Sequence, residues 1–349
     1  MPLQADEPRA LISAIIVAKN EEANIERCIR SLQGLCDEIV VLDTGSTDET
    51  YRIAERLGAK VYHEPWRDDF AYTNNIALGH ATGTWVLLVD ADEELTDTDC
   101  DSVRNLFRGN VKVDVLFIRI LLKHILGHTA EMHSLRIVRK DSGAKWIYPI
   151  HSQIVIENRG VEESKVEVSH SGITLTDYGY AVSNEINRLK GLRNLRIAEK
   201  MEPSRHAWHC ILKSAWIVED WVKCRNAADR LLDLDTNEED RAPLVSEEAC
   251  VYGAASCVNM GLYWEAMTFV RVGQGLNPHN PDIHLVGSIA SCEWYLQSLQ
   301  TGNGITKERA DLQLWVFKHN PLNAFQAHQT LLSTINGPSN EPSSTEPSP

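Results

Sequence analysis

Apolar residues in the first hundred positions come in short β-rich runs, each stopping abruptly on a polar turn. Residues 11–17 (LISAIIV) end at Ala18-Lys19-Asn20-Glu21-Glu22, and a helical pattern follows through Leu32. Residues 38–42 (EIVVL) end at Asp43-Thr44-Gly45-Ser46-Thr47-Asp48, and a second helical pattern runs to about Leu57. Residues 85–89 (WVLLV) end on Asp90-Ala91-Asp92. Continuous apolar runs of this length read as buried strands. Strand, polar turn and helix in alternation predict a parallel sheet with right-handed crossovers. Ligands of such sheets sit outside the carboxyl ends of the strands, so the three polar turns are expected to converge on one crevice.

Strand-like pieces continue at 134–138, 145–148, 153–156 and 165–169, and after Gly179 the pattern is helix after helix. The expected organisation is a flexible arm at 1–10, an α/β domain at 11–180, a helical domain at 181–335 and a disordered tail at 336–349. That tail (NGPSNEPSSTEPSP) has no apolar periodicity with which to offset its ordering entropy. Within the helical half, Gly261-Leu262-Tyr263-Trp264-Glu265-Ala266-Met267, then Phe269, Leu276-Asn277-Pro278 and Pro281, read as the second helix of a tetratricopeptide hairpin. Residues 221–234 and 307–321 lie on it at offsets of about 42 residues, against the usual period of about 34, as degenerate copies. Stacked hairpins leave a groove suited to peptides or partner proteins; a helical cap that only stabilises the first domain accounts for the pattern equally well.

Composition narrows the class. The 349 residues are 43% apolar and 24% charged, enough for a substantial core and two domains. A net charge of -15 argues against a protein that gains affinity by neutralising nucleic-acid phosphates. No apolar stretch approaches the roughly 18 residues of a membrane span, and the N-terminus lacks a signal pattern, so a cytoplasmic protein is expected. The eight cysteines show no zinc spacing and are expected to be reduced structural thiols.

Two carboxylates one residue apart at a strand end suit a hard divalent cation, Mn²⁺ or Mg²⁺, and through it a diphosphate. Asp43 ends its own strand at the same crevice, where its carboxylate would accept from the imide N–H of a uracil. Ser46 and Thr47 are expected to cap the following helix, with Asp48 in its first turn.

The segments VAKNEE (17–22), VLDTGSTDET (41–50), WRDDF (66–70), NNIALGHATGTWVLLVDADEEL (74–95) and HSGI (170–173) occur in an order and spacing that resembles glycosyltransferase family 2. More narrowly, they resemble its bacterial branch with C-terminal tetratricopeptide helices. The resemblance implies a GT-A fold, a mixed, mainly parallel sheet, followed by an all-α helical domain. It implies a metal-dependent, inverting transferase that takes a sugar from a nucleotide-diphosphate donor, UDP-sugar first among them. It assigns Asp92 as the direct metal ligand, with Asp90 and Ala91 toward the nucleotide; Asp90 would face the ribose or reach the metal through water. By the same resemblance Ala18, Glu21 and Asp43 border the nucleoside, Asp69 and Asn75 lie close to the donor, and His170 completes the metal shell. A structural role for His170 fits the sequence equally well.

Two positions depart from the family pattern. Asn74 stands where an Arg is usual, and Ser152 follows His151 where a Glu is usual. A serine hydroxyl takes no proton at neutral pH, so His151 and Glu93 or Glu94 become the candidate bases. The acceptor remains open between a peptide, a saccharide and another hydroxyl or thiol compound. Two further readings compete: a catalytically impaired nucleotide-sugar-binding scaffold acting through its helical repeats, and a nucleotidyltransferase. The latter ranks last because no Gly-rich basic phosphate loop follows the first strand.

Overall fold

The computed structural model describes residues 11–109, 111–123, 129–156, 169–179, 184–234 and 242–300. The chain forms two compact units, Met1–Arg193 and Asn194–Pro349.

In the first unit, β1 (Ile12–Ala18), α1 (Ile25–Leu32), β2 (Glu38–Asp43), α2 (Thr50–Arg56), β3 (Lys60–His63), α3 (Phe70–His80) and β4 (Trp85–Asp90) alternate as the apolar runs predict. β1 pairs in parallel with both β2 and β4, and β2 with β3. Alternation along β1 supplies both faces of the core: Ile12, Ala14 and Ile16 point to one cluster and Ile15 to the other. α1 buries Ile25, Cys28, Ile29 and Leu32, a helical i, i+3, i+4, i+7 stripe, against the first of these.

The sheet then extends with β5 (Glu93–Thr96), β6 (Val115–Lys123), β7 (Thr129–Arg139) and β10 (Ser169–Asp177), in the order β3-β2-β1-β4-β7-β6-β10-β5. α4 (Cys100–Arg108) lies between β5 and β6 in sequence, and β8 (Ala144–Ile147) and β9 (Gln153–Ile156) form a separate hairpin. β7 runs antiparallel to β4 and β6, β10 parallel to β6, and β5 antiparallel to β10. The result is the mixed, mainly parallel GT-A arrangement. β3, β5 and β6 were not legible as separate strands. Of the expected strand at 165–169, residues 165–168 lie outside the described residues and Ser169 opens β10.

One connection sets the shape. Only Ala91 and Asp92 separate central β4 from edge strand β5, although three strands lie between them in the sheet. Four strand spacings of a flat sheet come to about 19 Å, whereas three Cα steps reach at most about 11 Å. The sheet therefore curls until its β10–β5 edge stands over the end of β4.

α5 (Asn184–Ala198) starts in the first unit and its chain enters the second. There α6 (Arg205–Ile217), α7 (Trp221–Leu234), α8 (Pro243–Asn259), α9 (Tyr263–Leu276) and α10 (Pro281–Gln300) stack as hairpins, α8 packing on α7, α9 and α10. Small side chains at the crossings, among them Ala227, Ala228, Cys250, Ala254 and Cys257, are fully buried. Gly261, at φ +73°, makes the α8–α9 turn, and α9 ends at Leu276 before Asn277-Pro278, as the tetratricopeptide-like pattern requires. The copy expected at 307–321 and the tail at 336–349 lie outside the described residues. None of the eight cysteines forms a disulfide, and Cys28, Cys36, Cys210, Cys224, Cys250 and Cys257 are buried.

Where β4 begins, Gly83 N–H donates to Ser13 Oγ at 2.8 Å, and a Cβ added at Gly83 would stand 2.7 Å from the Ser13 backbone nitrogen. Backbone on the central strand cannot give way. Gly83→Ala is therefore expected to lower the unfolding free energy by about 1–3 kcal/mol, read by urea denaturation at unchanged m-value.

Candidate active site

Strand register gathers the polar turns. Ala18 lies opposite Asp43, and Val17 opposite Asp90, so β2, β1 and β4 end side by side. The first two turns are laced together. Asn20 N–H donates to Ser46 Oγ at 2.9 Å, Thr47 N–H to Asn20 Oδ1 at 2.8 Å, and Glu21 N–H to Thr50 Oγ1 at 2.7 Å. This corrects the expectation that Ser46 and Thr47 cap the next helix. α2 is preceded by Glu49 with no side-chain cap, because those hydroxyls are drawn to the β1 turn instead. Asp48 takes over at that helix start, accepting from Thr50 N–H at 3.0 Å.

Asp43 is 3% exposed. Its Oδ2 accepts from Gly45 N–H at 3.1 Å and Ser46 N–H at 3.2 Å, and His63 Nδ1 stands 3.3 Å away. The carboxylate thus organises its own turn at the crevice. The Ala18 carbonyl accepts from Thr44 N–H at 2.9 Å. Glu21 accepts from Asn24 Nδ2 at 2.9 Å; burial pushes its carboxyl up, with Asn24 opposing, Asp92 adding and Lys190 opposing.

The Asp90-Ala91-Asp92 turn is fixed at several atoms. Asp90 N–H donates to Glu93 Oε2 at 2.7 Å, the Cys28 thiol approaches Asp90 O at 3.6 Å, and Tyr178 N–H donates to Asp92 O at 3.2 Å. Asp90 faces outward, its side chain 55% exposed, and Ala91 is buried. Burial raises the Asp92 carboxyl, Asp90 raises it further, and Lys190, with Nζ 3.7 Å from Asp92 Oδ2, pulls it down.

Asp177 joins this edge although nothing in the sequence analysis singled it out. It ends β10 opposite Glu93 of β5, and its Oδ1 accepts from Gly179 N–H at 2.6 Å. Gly179 packs against both carboxylates: a Cβ there would overlap the Asp92 carboxylate and come within 3.0 Å of Asp177 Oδ1. Burial pushes the Asp177 carboxyl up to about 6, its Gly179 hydrogen bond opposing and Asp92 and Asp90 adding. The missed signal was the rule applied elsewhere, an acid closing an apolar strand (Ile173-Thr174-Leu175-Thr176-Asp177).

Asp90, Asp92 and Asp177 offer the hard oxygen donors that Mg²⁺ or Mn²⁺ takes, in an anionic recess balanced by Lys190 and Arg136. Donor type and charge fit such an ion. Among the described residues, no three His, Cys, Asp or Glu are already drawn into a coordination shell.

Three candidates have partners of their own. His170 lies on β10 seven residues before Asp177 across a bulge at Gly172, opposite Phe117 while Asp177 is opposite Leu122, about five strand steps or about 17 Å away, beside the rings of Phe117 and His133. His170 is thus set apart along β10 from the acid that ends the strand. Glu93 is fully buried, with one oxygen on Asp90 N–H and the other 3.4 Å from Arg136 Nη2, so it cannot approach an acceptor as a base. Burial drives its carboxyl upward, Arg136 opposing and Asp90 adding. Asn75 holds β8, its Nδ2 donating to Trp146 O at 2.8 Å and its Oδ1 accepting from Trp146 N–H at 2.9 Å, so its amide has a structural task, with one N–H and one lone pair left over.

Asp69 caps α3, accepting from Tyr72 N–H at 2.8 Å. Phe70 N–H donates to Pro149 O at 2.8 Å and so pins the β8–β9 turn to the same carboxyl edge. In that turn Tyr148 (φ +70°) and His151 (φ +47°) hold left-handed backbone around buried Ile150. Strained backbone of this kind persists only where the surroundings over-determine it. His151 is presented, exposed, from this support.

Residues 13–145 match the model of Glycosyl transferase family 2. Over 148 residues the chain is 34% identical to an uncharacterized glycosyltransferase of Rickettsia typhi, covering 42% of this chain and 46% of that protein. It is 25% identical over 209 residues to the SPbeta prophage-derived glycosyltransferase SunS of Bacillus subtilis, covering 56% and 47%. It is 45% identical over 86 residues to a TPR repeat-containing protein of Synechococcus elongatus, covering 25% and 21%. The chain thus spans less than half the length of these relatives. Glucosyl-3-phosphoglycerate synthase of Mycobacterium tuberculosis, solved with Mn²⁺, UDP and glucosyl-3-phosphoglycerate, is 29% identical over 33% of this chain and 45% of that one, with a TM-score of 0.27.

Gly179→Ala is expected to lower the melting temperature measurably, because the Asp92 and Asp177 carboxylates must both shift; an unchanged melting temperature would contradict the packing described. Asp177 also imposes a pH signature. A carboxyl held at about 6 when folded and at its ordinary value of 3.8 when unfolded binds more protons folded, so its contribution to stability falls as pH rises from about 4 to 6 and is flat above. Denaturant titrations should show this fall in the wild type and lose it in Asp177→Asn.

Proposed function

We propose that this chain transfers a sugar from a nucleotide-diphosphate donor, a UDP-sugar, to a hydroxyl or thiol of a peptide, saccharide or other acceptor, by one inverting displacement. The observation that carries the reading is the meeting of Asp92 and Asp177 at Gly179, beside Asp90, on the carboxyl edge of a family-2 domain.

Asp43, with Ala18 and Glu21 at the neighbouring turn, borders the base and ribose, and Asp90, the most exposed of the acids, faces the nucleotide. Asp69, at the head of α3, lies on the same edge toward the donor. Asp92 and Asp177 would hold Mn²⁺ or Mg²⁺, which when bound neutralises charge on the departing diphosphate. Lys190 adds a cationic group beside Asp92. The acceptor approaches from the β8–β9 turn, where His151 takes its proton, since Glu93 is buried and the Ser152 hydroxyl has no basicity at neutral pH. The stacked hairpins of the second unit offer a surface for a polypeptide partner. Among the described residues no helix is long and apolar enough to cross a membrane. A cytoplasmic setting agrees with eight cysteines of which none forms a disulfide.

The test is a panel of nucleotide sugars with and without Mn²⁺, scored by release of nucleoside diphosphate. Cation-dependent turnover of a UDP-sugar is expected, falling about 10²–10³-fold in Asp92→Ala, as when one preorganised charge stabiliser is removed. Donor binding without turnover of any sugar would favour the scaffold reading instead.

A further inference from the structure

Beneath the Asp90-Ala91-Asp92 turn lies a closed ring of contacts. Glu93, fully buried, accepts the Asp90 N–H through Oε2 at 2.7 Å. Its Oε1 lies 3.4 Å from Arg136 Nη2, and the same guanidinium nitrogen donates to Asp90 Oδ2 at 3.0 Å. Arg136 comes from β7, one residue from the Ile137–Leu87 pair that joins β7 to β4, and its side chain is 17% exposed. The turn is thus held by its backbone and by one of its carboxylates, from Glu93 after it and from β7, the strand paired with β4.

Burying a carboxylate and a guanidinium costs solvation that their mutual attraction seldom exceeds, so a pair of this kind is a poor stabiliser compared with apolar residues of similar size. Its position argues for another effect. Resting on the proposed donor site, we infer that Glu93 and Arg136 are positioning residues that fix the Asp90 carboxylate and the backbone of the turn that carries Asp92, and so set how this turn meets cation and diphosphate. Glu93 is fully buried and the Arg136 guanidinium is turned to Asp90 and Glu93, so their contribution is to the geometry of the acidic turn, as the partners of metal ligands commonly contribute.

The experiment must separate aim from stability. Truncating either residue alone strands a buried charge and endangers folding, so the informative protein is the double variant Glu93→Leu/Arg136→Met, which removes both charges and keeps volume. Three readouts apply to it and to the wild type: urea unfolding without ligand, UDP affinity with and without Mn²⁺ by calorimetry, and KM for the acceptor. The expected result is a ligand-free midpoint at or above that of the wild type, Mn²⁺-dependent UDP affinity weakened 10–100-fold, and an unchanged acceptor KM. Glu93→Gln, which keeps an oxygen for the Asp90 N–H, should retain more of the affinity. Undiminished UDP affinity in a folded double variant overturns the positioning role alone. Lower stability with normal affinity does the same, assigning the pair to the fold. A wild type that binds no UDP with Mn²⁺ overturns both the positioning role and the donor site on which it rests.

Discussion

The two-residue link between β4 and β5 is the constraint on which the rest of the first unit depends. Because Ala91 and Asp92 alone span from the middle of the sheet to its edge, the sheet must close far enough to set β10 over the end of β4. Closure then decides which side chains meet. It carries Asp177 to Asp92, puts Glu93 in the interior and lays Arg136 across both Asp90 and Glu93. Like charges accumulate at that edge only because backbone geometry compels them. Their repulsion and burial are expressed in the upward shifts at Asp92 and Asp177. Such a recess is poised to accept positive charge, which Lys190 partly provides.

The edge is also rigid in a way that suits chemistry. The turns after β1 and β2 exchange hydrogen bonds through Asn20, Ser46, Thr47 and Thr50. The β8–β9 turn is tied to α3 through Phe70 and Pro149, and β8 itself through Asn75. Most of these bonds are between a side chain and a backbone group of another segment. Loops that are surface features in sequence terms are therefore held by partners distant along the chain, the arrangement a preorganised site requires.

Much of this was legible in the sequence wherever the cause is local. Asp43 and Asp90 could be placed at strand ends because an apolar run and the acid that stops it are adjacent in the chain. The helices of the second unit announced themselves through periodicity and through Gly261. What stayed hidden depends on closure. Asp177 obeys the same strand-end rule but acquires meaning only when β10 stacks against β5 and Gly179 brings it to Asp92. His170 resembled a ligand by its motif, yet it sits toward the opposite end of the strand that carries Asp177. Glu93 looked like an available acid because burial at an edge strand is set by residues from β7 and β10, not by its neighbours in sequence. The part Asn75 plays in holding β8 was equally hidden, because its partner Trp146 is 71 positions away.

In the proposed site, carboxylates from the β4–β5 link and from β10, Asp92 and Asp177, hold one cation. Crystals of the protein grown with Mn²⁺ and UDP would test it by anomalous scattering from the metal. The account predicts a single strong peak within about 2.0–2.6 Å of carboxylate oxygens of both Asp92 and Asp177. A peak held by Asp92 together with His170, or no peak at this edge while UDP is bound, would contradict it.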